Sequence, residues 1–359
     1  MPQEKKVAHF LNSVELHKSP PNDVIYKAYK QSGFGVTSYS DNPRGVEGVT
    51  AVTYGIRWLC RNMFKPHWRY YAAFSATSED PIAIAGVLSF IWRKPLIFLS
   101  DEIKSGSYRG DRPNRWKLLC RWAMRRASLT IVNDYARVDL QRDYAGLTVE
   151  KKVIVYPGCF LNPPQAKDRK VLRDKWGMKL DSVVVAFSGS CDLVTGIDWA
   201  LDSLDDHKDV EMLAQPLALN PLNQYFLKNH RNIEQVYLER ERLSWNDSWA
   251  SMGGVDIGVS VYLNQAPQFQ LMGISSNRLC MFLAMGVPVI VSRQPSFEFI
   301  EDYNCGVLVE NAVQFSEAIS LIKENLEEMK QNALKCAQDY IDTKGKYQQL
   351  AQEINSVLS

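Results

Sequence analysis

The stretch ISSNRLCMFLAMGVPVIVS, residues 274–292, decides the fold reading. It opens on Ser275, Ser276, Asn277 and Arg278, runs through apolar residues to Gly286, and restarts at Val287-Pro288 as a β-branched run. Ser275 or Ser276 suits a helix N-cap, because a hydroxyl there accepts from the exposed N–H groups of the first turn. Gly286 suits the left-handed position that ends a helix. The stretch therefore reads as a helix leading straight into a strand. Capping needs one serine, so Asn277 and Arg278 are surplus to it. A helix start favours anions, and an arginine there is a ready phosphate partner.

The same rhythm extends through the chain. Short β-branched runs lie at 6–12, 35–40, 70–76, 94–100, 128–134 and 153–158, and again at 183–189, 210–216, 233–239, 255–262, 288–292 and 305–310. Amphipathic stretches such as 317–330 separate them, the pattern of buried parallel strands with crossover helices. With 359 residues the chain is too long for one ordinary core. The three prolines of PGCFLNPPQAKD, 157–168, mark the break. The fold class is α/β, two Rossmann-like doubly wound domains facing a cleft, split as 1–162 and 163–337.

Bulk composition narrows the classes. Seven scattered cysteines with no CxxC pair argue against a disulfide framework or a zinc site and for a reducing cytoplasm. No apolar run has the length of a membrane span, and MPQEKKVAHFLN lacks a signal peptide's apolar core. No D-x-D follows a strand, so no metal is expected. Neither a GxSxG elbow nor a nucleic-acid-binding motif is present.

In such sheets ligands bind beyond the carboxyl ends of the strands. In the second half, Ser188, Gly189 and Ser190 end a strand and open a helix, where small residues let backbone N–H groups approach an anion. Leu238, Glu239 and Arg240 end another strand, Val261 and Tyr262 a third. The connection 263–274 is long for a βα loop and is placed to close over a substrate.

At this point the residues acquire a family. SSNRLCMFLAMGVPVIVS is similar to the pattern S-x-N-K-L-x-x-Y-L-A-x-G-x-P-V-I of bacterial two-Rossmann (GT-B) glycosyltransferases, most of all galactofuranosyl- and glucosyltransferases related to glycosyltransferase family 4. FSGSCDLVTGIDWAL resembles the first loop of the family's donor domain, and YYAAFSATSEDPIAIAGVLSFIWRKPLIFLSDEI its acceptor domain. The resemblance implies transfer of a sugar from a nucleotide donor, UDP-linked by preference, to a saccharide or polyprenyl-linked saccharide in glycan assembly. It assigns the donor to Ser188, Gly189, Ser190, Leu238–Arg240, Tyr262 and Ser275–Arg278, with no metal or other cofactor. It also implies that 338–359 crosses back onto the first domain. The chain departs from the family at Gly273 and Met281, where many members carry glutamates, and at Ser190 and Thr195, where they carry phosphate-binding cations. Those departures keep two competitors open: a non-catalytic glycosyltransferase-like partner subunit and a nucleotide-sugar epimerase.

In the first half, acidic residues directly follow strands. Asp101 and Glu102 are the leading candidates for the base of an inverting transfer, since FLSDE ends the most apolar strand. Asn12, Ser13, Glu79 and Asp80 are placed to meet the acceptor, with Asp80-Pro81 also readable as a helix N-cap. The segments 54–71 and 108–129 interleave Arg and Lys with Trp and Phe. Projected at about 100° per residue, Trp116, Leu119, Cys120, Ala123 and Ala127 share the face of a helix that packs on the sheet. Arg121, Trp122 and Arg125 fall outside it, the pattern of an interfacial helix on anionic lipid at the inner face of the plasma membrane.

Overall fold

The computed structural model describes residues 5–13, 18–41, 48–103, 115–216, 227–241 and 243–359. The part of the cationic segment at 108–114 lies outside them. The chain divides into two compact units: 1–161 with 266–268 and 343–359, and 162–265 with 269–342.

The first unit is built on a parallel sheet ordered β3-β2-β1-β4-β5-β6-β7. Its strands are β1 (Lys6–Leu11), β2 (Gly35–Ser40), β3 (Val49–Ala51), β4 (Tyr71–Thr77), β5 (Leu96–Ser100), β6 (Leu129–Val132) and β7 (Val153–Val155). The reading lacked β3, whose three residues are too few to show a period. The second sheet is ordered β10-β9-β8-β11-β12-β13 and is also parallel. Its strands are β8 (Val183–Gly189), β9 (Val210–Pro216), β10 (Val236–Leu238), β11 (Ile257–Ser260), β12 (Val289–Ser292) and β13 (Gly306–Val309). Each sheet thus reverses its strand order once, between β1 and β4 and between β8 and β11. Those are the points where loops diverge and open a crevice beyond the strand ends.

The sequence dictates this locally. The VVVAF of β8 is buried or nearly so throughout, because helices cover both faces of a parallel sheet. Helix Asn277–Ala284 packs so closely on β11 that a Cβ at Gly258 would lie 2.3 Å from the Phe282 ring. Ser276 caps that helix by accepting from Leu279 N at 3.1 Å, and Gly286 after it has φ +71°. Helix Thr343–Leu358 packs on helix Pro20–Gln31 of the first unit, burying Leu350 and Ile354 against Val24, Ile25 and Tyr29.

A buried ionic cluster pins the second unit. Asp256, fully buried, takes Arg169 Nη1 at 2.7 Å, Arg173 Nη2 at 2.7 Å, Lys330 Nζ at 3.4 Å and Val184 N at 3.0 Å. Burial alone would raise its pKa, but these hydrogen bonds and charges outweigh it and hold the carboxyl below its usual range.

Candidate functional site

In the second unit the reversal point gathers five of the sequence candidates. Arg278, nine-tenths buried, sits on the first turn of helix Asn277–Ala284. Its Nη1 donates to Ser190 O at 3.1 Å, from the loop after β8. Its guanidinium lies 5.0 Å from the centre of the Tyr262 ring, just past β11. The Tyr262 hydroxyl is 2.6 Å from Ser276 Oγ, and Tyr262 N donates to Ser292 Oγ at 3.1 Å. Ser188 Oγ lies 3.2 Å from Ser248 Oγ, which donates to Gln215 Oε1 at 3.3 Å. This chain fixes the ends of β8 and β9 side by side.

Among the described residues Arg278 has no carboxylate partner. The Ser190 carbonyl and the Tyr262 ring meet part of its charge, and burying the rest without an anion is unfavourable. The N–H groups of the first turn add positive potential in the same direction. The arrangement can hold an anion.

The other candidates fall into different roles. Asn277 is half-buried beside Arg278, whereas Ser275 is spent on Met272 O as a local turn. Gly189, with φ +91°, turns the chain out of β8. Leu238, Glu239 and Arg240 lie at the end of β10, two strands from β8, about 10 Å away by ordinary strand spacing. Glu239 is buried there and paired with Lys175 Nζ at 2.8 Å, while Arg240 is exposed. Thr195 is a brace within its loop, accepting from Asp192 N at 3.1 Å. Gly273 and Met281 are both buried. The connection 263–274 is not bare loop: it holds the short helix Pro267–Gln270 and a turn at Gly273–Ser275.

In the first unit Asp101 follows β5. Its Oδ1 accepts from Ser78 Oγ at 2.7 Å and from Glu102 N at 2.9 Å. Burial outweighs both bonds, and with the neighbouring Glu102 charge it pushes Asp101 up to about 6. Ser78 itself has φ 75° and ψ 172°, a region normally left to glycine. The sequence reading missed it, although it stands at a strand end directly before Glu79-Asp80. Arg137, buried, reaches the Asp101 carbonyl with Nη1 at 3.1 Å.

Two expectations are corrected here, the N-cap at Asp80 and the exposure of Trp122. Ser78, not Asp80, occupies the N-cap of helix Glu79–Ile91. Glu79 is 5% exposed and accepts from the Tyr144 hydroxyl, and Asp80 accepts from Trp116 Nε1 at 2.8 Å, so both are engaged within the fold. Asn12 and Ser13 remain half-buried at the end of β1. Finally, Trp122 is not an open interfacial residue. It is half-buried, packs against the core cluster and meets Phe90 edge-on at 5.8 Å, so a neighbouring helix covers a flank that the projection left open. Arg121 stacks on Tyr144 at 4.9 Å and Arg125 donates to Ala145 O at 3.2 Å. Among the described residues no helix is long and apolar enough to cross a membrane.

Comparison with known proteins agrees with this architecture. No family model and no curated protein sequence matches the chain. Solved structures do. The Anabaena protein HepE, in complex with UDP, is 17% identical with a TM-score of 0.75, over 98% of this chain and all of that one. Sucrose-phosphate synthase from Thermosynechococcus elongatus is 13% identical with a TM-score of 0.74, over 98% of each chain. A glycosyltransferase from Rickettsia africae is 10% identical with a TM-score of 0.73, over 99% of this chain and 98% of that one. At such identities the likeness is one of fold: the chain has the two-Rossmann GT-B architecture that these enzymes share.

Proposed function

We propose that the chain is a glycosyltransferase that takes a sugar from a UDP-linked donor and passes it to a saccharide or polyprenyl-linked saccharide. The observation that carries this is Arg278, a buried guanidinium without a carboxylate partner among the described residues, set at a helix start where two strands diverge. A diphosphate supplies the missing charge. As the sugar–phosphate bond breaks, negative charge grows on the leaving oxygen, and a fixed cation stabilises it without reorganising. Ser190 and the first-turn N–H groups complete the cradle, and the end of β10 lies at a distance suited to the ribose and base. HepE was solved with UDP and with UDP-glucose, which favours uridine for this chain as well. In the first unit Asp101 takes the acceptor hydroxyl's proton if configuration inverts. Protein groups meet the phosphate charge in this reading, so a metal ion is not required.

Thermal-shift titration with UDP, GDP and dTDP in the presence of chelator tests it. UDP at about 100 times its Kd should add about 2.7 kcal/mol of apparent stability. Arg278→Ala should weaken UDP on the order of 100-fold and lower kcat/KM at least as much. Binding of no nucleotide by the wild type would transfer support to a non-catalytic partner subunit. Turnover of donor with acceptor absent would transfer it to an epimerase.

A further inference from the structure

Residues 48–78, 81–100 and 115–133 hold eleven Lys and Arg and no Asp or Glu. The fold brings the segments together on the first unit. Trp92 Nε1, just past helix Glu79–Ile91, donates to Met63 O at 2.9 Å. Phe90 meets Trp122, and Arg126 lies 4.8 Å from the Phe90 ring centre and 5.4 Å from that of Trp122. Leu118 stands one turn before Trp122 on the same helix. Along this line Phe64 is 66% exposed, Phe90 56% and Leu118 52%. Arg57, Arg61, Lys65, Arg93, Arg115 and Arg126 are exposed around them. The nearest carboxylates on these elements, Glu79 and Asp80, are spent on Tyr144 and Trp116.

We propose that this face docks on an anionic lipid surface, with Phe64, Phe90 and Leu118 entering the headgroup boundary and the surrounding cations meeting lipid phosphates. Apolar tips among cations are what such a surface rewards. A polyanion such as single-stranded nucleic acid would also meet the charge, but it offers little to Leu118, which has no ring to stack. The residues differ from the Arg121, Trp122 and Arg125 that the helix projection singled out, because packing has already used those three. The inference rests on the glycosyl-transfer reading only for its purpose, which is to bring the first unit to a lipid-borne acceptor.

Co-sedimentation of the full chain with phosphatidylcholine vesicles, with and without about 30 mol % phosphatidylglycerol, tests the surface. The wild type should bind the anionic vesicles and not the neutral ones. The variant Arg61→Glu/Lys65→Glu/Arg93→Glu should bind on the order of 100-fold more weakly, at roughly fivefold per lost cation. The variant Phe64→Ser/Phe90→Ser/Leu118→Ser should lose roughly tenfold or more. Both variants should keep the UDP-induced thermal shift, which shows that they fold. Absent vesicle binding with the UDP shift intact overturns the docking surface and leaves the donor site standing. Vesicle binding without a UDP shift does the reverse. Equal binding by either variant, or tighter binding to a single-stranded oligonucleotide than to vesicles, also overturns the proposal.

Discussion

The two sheets share one strand order over six strands, the first adding a seventh. They carry opposite chemistry at their strand ends: Arg278 at the reversal of the second, Asp101 one strand from that of the first. In the second, Arg278 is buried beside a serine carbonyl and a tyrosine ring with no acid to meet it among the described residues. In the first, Asp101 is half-buried beside a serine hydroxyl, and the nearby Arg137 guanidinium bonds its carbonyl. The doubly wound topology delivers loops to the carboxyl ends of the strands in both units. What each place can bind is set by one or two side chains. A buried cation suits a diphosphate, and a half-buried carboxylate with raised pKa suits a hydroxyl that must lose a proton.

The largest expected effect breaks the acidic side. Asp101→Asn should lower kcat by roughly 10³-fold, as loss of a general base does. Wild-type kcat should rise through pH of about 6, where Asp101 ionises, and the variant's residual rate should lose that limb. The stability sign is opposite. A carboxyl whose folded pKa lies above its unfolded value holds a proton longer when folded, so it favours the fold at low pH and this contribution is lost as pH rises from about 4 to 6. At pH 7 the asparagine variant should therefore be more stable than wild type by about 1–2 kcal/mol. A variant with full kcat and an unchanged pH profile would remove Asp101 from catalysis.

A second comparison, between compensated and uncompensated buried charge, gives the next effect. Asp256 meets three cations, and Asp256→Ala leaves Arg169 and the fully buried Arg173 without their carboxylate, while Lys330 keeps Glu327 at 3.0 Å. The change should cost about 3–5 kcal/mol by denaturant unfolding. Because the folded state depresses this carboxyl's pKa, its contribution is present above the unfolded value near 4 and is lost as pH falls. Arg278→Met should do the opposite and stabilise the ligand-free protein by about 1 kcal/mol, since it removes a buried charge that has no carboxylate partner among the described residues. Similar losses for both would mean that Arg278 is a structural residue.

The legible part of the fold followed from period and composition. β8 could be read from VVVAFSG because a strand covered on both faces must be apolar nearly throughout. The helix at 277–284 was readable from its serine cap and its terminal glycine. β3 was not, because three residues carry no period, and the start of β10 was set too early because Ile233–Gln235 forms a tight turn before it. At the site, Arg278 could be found because it exceeds what capping requires. Engagement by distant partners could not: nothing near Glu79 announces Tyr144, and nothing near Trp122 announces Phe90. A helical projection shows only the helix's own faces, so it could not show that Phe90 of a neighbouring helix half-covers Trp122 on its flank.

Ser78 offers the finest test of the acidic side. Its backbone, at φ 75° and ψ 172°, costs a non-glycine residue about 1–3 kcal/mol, and its hydroxyl supplies a hydrogen bond that lowers the Asp101 pKa. Glycine and alanine both delete that bond, but only glycine relieves the backbone. Ser78→Ala should therefore be the less stable of the two by about 1 kcal/mol. In both, Asp101 loses a donor to its charged form, so the acidic limb of the rate profile should move to higher pH by a few tenths of a unit. If the two variants unfold together, the backbone at this position is unstrained. If the limb stays fixed in both while Asp101→Asn abolishes it, Ser78 shapes the loop without tuning the acid.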